Sequence, residues 1–212
     1  MESVLLLSRK PFHALGGATV SVTDQSATGA AMLRIVLEEF LALRPRPQYE
    51  RAPTSLPASL RSYDAALLIG DDALKAGALG QGVEGHVFKL DLGKAWKDYT
   101  GHDMVYAVWA ANADFARKHP EEVRRLAASL RASRDWGTAH LREVSTAAAR
   151  ASGVPTDVLD TYLQRLSFRL DAAAARGLLT YAEHAAKVGA LPRDARPVVR
   201  DHLRALNLGG AL

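Results

Sequence analysis

Apolar runs of strand length stand out in the first half of the chain. Val4–Ser8 and Ala65–Ile69 are almost continuously apolar, and each is followed by residues that favour a turn. That pattern is typical of strands buried on both faces of a sheet. Shorter strands are predicted at Gln48–Arg51 and at residues 18–23, 87–90 and 104–111.

Residues with helical spacing separate these strands. Val36 and Phe40 belong to one apolar face of a helix that opens after Ser26. A short helix is predicted from Asp72, and a short helix or a turn over residues 94–99. Strands that alternate with helices predict an α/β fold. Its sheet is expected to be mainly parallel and covered by helices on both faces.

From Pro120 onward the pattern is helical. Proline suits the first helical position, and the acids Glu121 and Glu122 suit the first turn. One face stays apolar as far as Gly153, which predicts one long helix with Gly137 on its buried side. This part has no strands of its own to cover, so we expect its apolar face to pack on a sheet that the chain does not contain.

Composition narrows the possible functions. The 212 residues are 48% hydrophobic, enough for a core, and the lack of cysteine excludes disulfides and thiolate chemistry. The net charge is +4, but basic and acidic residues are mixed along the helices, so we expect no nucleic-acid partner. Apolar runs too short for a membrane span, and a start without a basic leader, predict a cytoplasmic protein. The positive charge is either ordinary solubility charge or a match for a small anion.

Two short motifs could carry chemistry. Ser26, Ala27 and Thr28 lie between a predicted strand and a helix, where amides and hydroxyls can bind a carboxylate or simply cap the helix. Gly70 and Asp71 end a buried strand. They form either a turn that begins a helix or part of a cleft at the carboxyl end of the sheet.

Other residues of chemical interest favour structural roles. Trp96 and Trp109 are predicted to anchor packing. The seven histidines are scattered, with none at metal-ligand spacing, and there is no phosphate loop or dinucleotide fingerprint. The sequence therefore predicts neither a metal site nor a cofactor.

Five motifs in order along the chain resemble chorismate dehydratase of the futalosine route to menaquinone. They are residues 3–8, Ser26-Ala27-Thr28 with residues 32–38, residues 67–74, Asp91-Leu92-Gly93 with Trp96, and Thr100-Gly101 with residues 107–110. A sister enzyme with the same fold, 1,4-dihydroxy-6-naphthoate synthase, typically carries a His-Glu pair where this chain has Gly70-Asp71. The resemblance therefore favours the dehydratase.

The resemblance implies the two-lobed α/β fold of type II periplasmic solute-binding proteins, with the first lobe incomplete in this chain. Residues 1–13 would form a hinge strand and a remnant of lobe 1, and residues 14–103 would form lobe 2. Residues 104–111 would be the return hinge strand, and residues 112–212 the helical C-terminal part of lobe 1.

The reaction implied by the resemblance is the loss of water from chorismate, which gives 3-[(1-carboxyvinyl)oxy]benzoate without a cofactor. Ser26, Ala27 and Thr28 would bind a carboxylate of this anionic substrate. Ser3 would lie near the ring as a catalytic residue. Gly70 and Asp71 would line the cleft.

One departure from the family concerns the N-terminus. Members begin with a strand–helix–strand segment carrying a Tyr-Leu-Asn-type motif, which this chain lacks. We expect Met1 to be an internal methionine of a longer reading frame, so the activity of this shorter chain stays open. Two alternatives also remain: a non-catalytic solute-binding protein for a small carboxylate, and an interaction module. The protein is expected to be a monomer or a homodimer.

Overall fold

The computed structural model describes residues 3–52, 62–78 and 88–205. The chain divides into two compact units. The α/β unit comprises Met1–Tyr106 and Arg169–Leu212, and the helical unit comprises Ala107–Phe168. The predicted lobe boundaries, with residues 112–212 as the helical C-terminal part of lobe 1, stay a prediction.

Five strands form the sheet of the α/β unit. They are β1 (Val4–Ser8), β2 (Thr19–Val22), β3 (Gln48–Arg51), β4 (Ala65–Ile69) and β5 (Phe88–Asp91), and the order in the sheet is β3-β2-β4-β1-β5. All five lie within two residues of their predicted positions; Val87, predicted to begin β5, is outside the described residues. β2 is parallel to β3 and β4, whereas β1 is antiparallel to β4 and β5. The sheet is therefore mixed and not mainly parallel, because β1 enters it in the opposite direction.

The described helices are α1 (Ala27–Arg34), α2 (Gly70–Ala78), α3 (Leu92–Thr100), α4 (Ala113–Lys118), α5 (Pro120–Ala139), α6 (Leu141–Ser152), α7 (Thr156–Gln164), α8 (Ala172–Lys187) and α9 (Ala195–Ala205). A π-helical segment, Ile35–Phe40, continues α1. In the part of the chain that the structure describes, no helix is both long and apolar enough to cross a membrane.

Helices cover both faces of the sheet, as predicted. On one face, Leu6 of β1 belongs to a core cluster that includes residues of α1, α3 and α8, among them the fully buried Trp96. On the other face, Leu5 clusters with Leu68 of β4 and Ala73 of α2. Each leucine buried in this way contributes about 1.5–3 kcal/mol. The predicted packing role of Trp96 is confirmed.

Asp64 ties the turn before β4 to the start of β2. Its carboxylate accepts a hydrogen bond from the Thr19 N–H at 3.1 Å and pairs with Lys10 Nζ at 2.8 Å. The hydrogen bond from Lys10, and then the one from Thr19, hold the pKa of Asp64 below its ordinary value. The carboxylate form of Asp64 therefore stabilises the pairing of these strands.

The helical unit contains α4 to α7. The long helix predicted to reach Gly153 is wrong, because the helix breaks at His140, where φ is −118° and ψ is 37°. The His140 ring stacks on Trp136 at 4.4 Å, and its Nδ1 lies 2.8 Å from the Trp136 carbonyl oxygen. The His140 ring therefore contacts the last turn of α5, and α5 ends at Ala139. None of the residues of α5 is buried.

The strand predicted over residues 104–111 is also wrong. The described residues include no strand there. A strand needs a neighbouring strand to form hydrogen bonds with its N–H and C=O groups, and no described strand pairs with this segment. Val108 and Trp109 are exposed, Trp109 by 85%. The packing role predicted for Trp109 is therefore wrong as well.

Candidate active site

Three segments that are distant in the sequence meet at one edge of the sheet: the start of β1 and the residues that follow β2 and β4. Val4 pairs with Ile69, so the start of β1 lies beside the end of β4. β2 runs parallel to β4, which brings the residues after β2 to the same edge. This edge therefore carries Ser3, the Ser26–Thr28 turn (residues 26–28) and Gly70. Open α/β sheets commonly bind ligands at such an edge.

The N-terminus of α1 is capped by Ser26, one of the two roles that the sequence left open. Ser26 has extended backbone angles (φ −144°, ψ 102°), and its Oγ accepts a hydrogen bond from the Gly29 N–H at 2.9 Å. The cap satisfies the Gly29 N–H but not the N–H groups of Ala27 and Thr28, for which no described residue provides an acceptor. Such amides lie at the positive end of the helix dipole, so the turn can both cap the helix and bind an anion.

Ser3 and Gly70 are joined through the backbone. The Gly70 N–H donates to the Ser3 carbonyl oxygen at 2.9 Å, and Ser3 is buried. Gly70 has φ +58°, a left-handed conformation that favours glycine, and apart from its chain neighbours no atom of the described residues lies within 4 Å of where its Cβ would be. The end of β4 also approaches α1, because Ile69 Cγ2 lies 3.6 Å from the ideal Cβ position of Gly29.

Asp71 is the least constrained of the predicted site residues. It is exposed in the first turn of α2, where a carboxylate interacts favourably with the helix dipole. Gly70 supplies the turn and Asp71 follows it, so the local geometry has the features of a helix start. Its position at the same sheet edge as Ser3 is compatible with a cleft residue too.

Tyr106 also lies at this edge, although no sequence motif pointed to it. Asp91 ends β5, pairs in register with Leu5, and accepts the Gly93 N–H at 2.8 Å. The Tyr106 hydroxyl lies where a side chain on Gly93 would be, so a larger residue at position 93 would displace the Tyr106 hydroxyl. The Asp91-Leu92-Gly93 motif could have indicated a close approach here. Tyr106 itself belongs to the predicted strand over residues 104–111, which does not form.

Some of the positive charge serves structure instead of ligand binding. The buried Glu38 pairs with Arg34 Nε at 3.0 Å and Arg46 Nε at 3.4 Å. Burial, and then the Glu38 carboxylate, raises the pKa of the nearby Tyr49. Glu38 lies about 15 Å along the helix from Thr28, as judged from the rise per residue. This cluster therefore anchors the far end of the helix and not the candidate site.

The chain is similar to proteins of known family and fold. A family model described as menaquinone biosynthesis matches residues 1–187. A chorismate dehydratase from Thermus thermophilus is 37% identical over 177 residues, covering 78% of this chain and 62% of that protein. The periplasmic aliphatic sulphonate binding protein SsuA from Escherichia coli superposes with a TM-score of 0.62 at 17% identity, covering 92% of this chain and 64% of that one. The predicted α/β, periplasmic-binding-protein-like fold class is confirmed, and the chain spans less than two thirds of the length of either protein.

Proposed function

This chain belongs to the menaquinone biosynthesis family, and we propose that it is a hydro-lyase that removes water from chorismate to give 3-[(1-carboxyvinyl)oxy]benzoate. The observation that supports this proposal best is the 37% identity to a protein named chorismate dehydratase. The meeting of Ser3, Ser26 and Gly70 at one sheet edge supplies a matching site. The cytoplasmic location, the lobe boundaries and the monomeric or homodimeric state stay predictions.

The reaction needs the substrate to be bound and positioned more than it needs a strong acid or base. A ring proton and the ring hydroxyl leave together as water, and the new aromatic ring makes the step favourable. The protein must hold the substrate's carboxylates and place a polar group beside the ring. We assign the carboxylate to the N–H groups of Ala27 and Thr28 and to the hydroxyl of Ser26, at the positive end of α1.

Ser3 is the residue assigned to catalysis. Its backbone is fixed by the hydrogen bond from Gly70, and its burial keeps bulk water from competing for its hydroxyl. Gly70 and Asp71 form the wall of the site next to Ser3. They directly follow Ile69, the last residue of β4, which pairs with Val4 of β1. The hydroxyl of Ser3 assists the departure of the hydroxide by donating a hydrogen bond to it, and the released hydroxide and ring proton together make up the water that is lost.

Incubation of the purified chain with chorismate, followed by mass spectrometry for the water-loss product, tests the proposal. Product formation supports it. Ser3→Ala should lower the rate by about 100-fold or more. Ser129→Ala, an exposed serine of α5, serves as the matched control and should leave the rate unchanged. Binding of chorismate without product would overturn the lyase and favour a solute-binding protein. The absence of both, in this chain and in the complete reading frame that contains it, would overturn either function.

A further inference from the structure

A tyrosine from the C-terminal part of the chain contacts the first turn of α1. The Tyr181 hydroxyl donates a hydrogen bond to the Thr28 carbonyl oxygen at 3.3 Å, across 153 positions of sequence. Tyr181 lies on α8, within the same unit as α1. This contact therefore joins a distant helix to the turn assigned to the substrate's carboxylate.

The hydrogen bond from Tyr181 acts on one particular peptide group. The C=O of the Thr28–Gly29 peptide accepts from Tyr181, and the N–H of the same peptide donates to Ser26 Oγ at 2.9 Å. The peptide is thus held at both ends. Because the N–H groups of Ala27 and Thr28 precede it in the same turn, its orientation also sets theirs.

The rest of α8 is aligned with α1 by further contacts. The Arg34 guanidinium, at the end of α1, donates to the Val188 carbonyl oxygen, and Glu39 Oε2 lies 2.8 Å from His184 Nδ1. One turn before Tyr181 on α8, a Cβ on Gly177 would lie 2.6 Å from the Asp103 carbonyl oxygen, so the helix can pack this closely only with glycine there. These contacts limit the movement of Tyr181 relative to Thr28.

The surroundings of Tyr181 keep its hydroxyl a donor. The residue is 8% exposed, and its ring packs edge-on against Trp96 at 6.0 Å between centroids. Burial raises the pKa of Tyr181 to about 12. The phenol therefore keeps its proton at any pH at which the protein would be assayed.

We propose that Tyr181 is a positioning residue, which orients the amides of Ala27 and Thr28 toward the substrate's carboxylate by holding the Thr28–Gly29 peptide. The inference rests on the proposed function of that turn. Tyr181 itself does not touch the substrate, so its loss weakens carboxylate binding through the geometry of the turn. The effect is on binding in the ground state and the transition state alike, which raises KM and leaves kcat nearly unchanged.

The test compares Tyr181→Phe with the wild-type chain and with Tyr99→Phe. Tyr99 is half-exposed and belongs to the same aromatic cluster, since its ring stacks on Phe40 at 4.5 Å, so its variant removes a hydroxyl without touching α1. The Kd for chorismate is measured well below the melting temperature. It should rise about 2- to 10-fold in Tyr181→Phe and stay unchanged in Tyr99→Phe. The amide NMR signal of Gly29 should shift only in Tyr181→Phe.

The outcomes separate the inference from the function on which it rests. Chorismate binding that is equal in the wild type and Tyr181→Phe, even with a lowered melting temperature, overturns positioning and leaves the dehydratase intact. If the wild type does not bind chorismate, the proposed function fails. The Gly29 amide signal then tests the contact alone: a signal that does not shift in Tyr181→Phe overturns the hydrogen bond between Tyr181 and Thr28 as well. A shifted signal with weakened binding supports both.

Discussion

Replacing Ala27 by proline tests the carboxylate site with little damage to the helix. Ala27 is the first residue of α1, where the N–H has no intrahelical partner and proline is well tolerated. The preceding Ser26 already has the extended backbone that a following proline requires, with φ −144° and ψ 102°. The substitution therefore removes one outward amide donor and keeps the cap from Ser26 to Gly29.

The size of the effect follows from the lost hydrogen bond. A hydrogen bond to a charged group contributes about 1.5–3 kcal/mol. Since about 1.4 kcal/mol corresponds to a factor of ten, the Kd for chorismate should rise about 10- to 150-fold in Ala27→Pro. Proline also restricts the unfolded chain, so the free energy of unfolding should be unchanged or higher by up to about 1 kcal/mol.

Isothermal titration with chorismate, together with thermal denaturation, measures both quantities. Ala113→Pro is the matched control: Ala113 is exposed at the first position of α4, and Asn112 caps that helix through the N–H groups of Asp114 and Phe115. It should bind chorismate like the wild type. If Ala27→Pro folds normally and keeps the wild-type affinity, the amides of α1 do not hold the carboxylate, and the site assignment is wrong.

Three further outcomes concern stability and pH. Gly177→Ala should lower the free energy of unfolding by about 1–3 kcal/mol, because the new Cβ would lie 2.6 Å from the Asp103 carbonyl oxygen. Gly137→Ala is a matched change, because the new Cβ would meet Val144 Cγ2 at an unstrained 3.9 Å, and it should raise the free energy of unfolding by about 1 kcal/mol. Urea denaturation of both variants checks the opposite signs. Because the folded-state pKa of Asp64 is lowered, its stabilisation is present above the unfolded value of about 3.9 and is lost as the pH falls through the folded value. The urea midpoint should therefore fall on acidification below about pH 4, and less so in Asp64→Asn. Ala42→Gly should stabilise the fold by about 0.5–1 kcal/mol, since Ala42 has φ +49°; an unchanged melting temperature would contradict this.

Much of the secondary structure could be predicted because it depends on local burial. The continuous apolar runs of β1 and β4 have no alternative but to be covered on both faces, and the structure buries both strands almost completely. Ser26 was recognised as a helix start because a serine in that position can satisfy an amide of the first turn. The strand over residues 104–111 failed, since apolar content indicates burial but not whether a partner strand exists.

The sequence by itself determined the five strands of the sheet and the residue that opens α1. Only the tertiary structure decided that β1 runs against β4, which places Ser3 beside Gly70, and that Tyr181 reaches Thr28. Hydrophobic periodicity records how deeply a residue is buried but not which neighbour it meets. Strand direction and hydrogen bonds between distant helices depend on the packing of the whole unit, so no local pattern of residues encodes them.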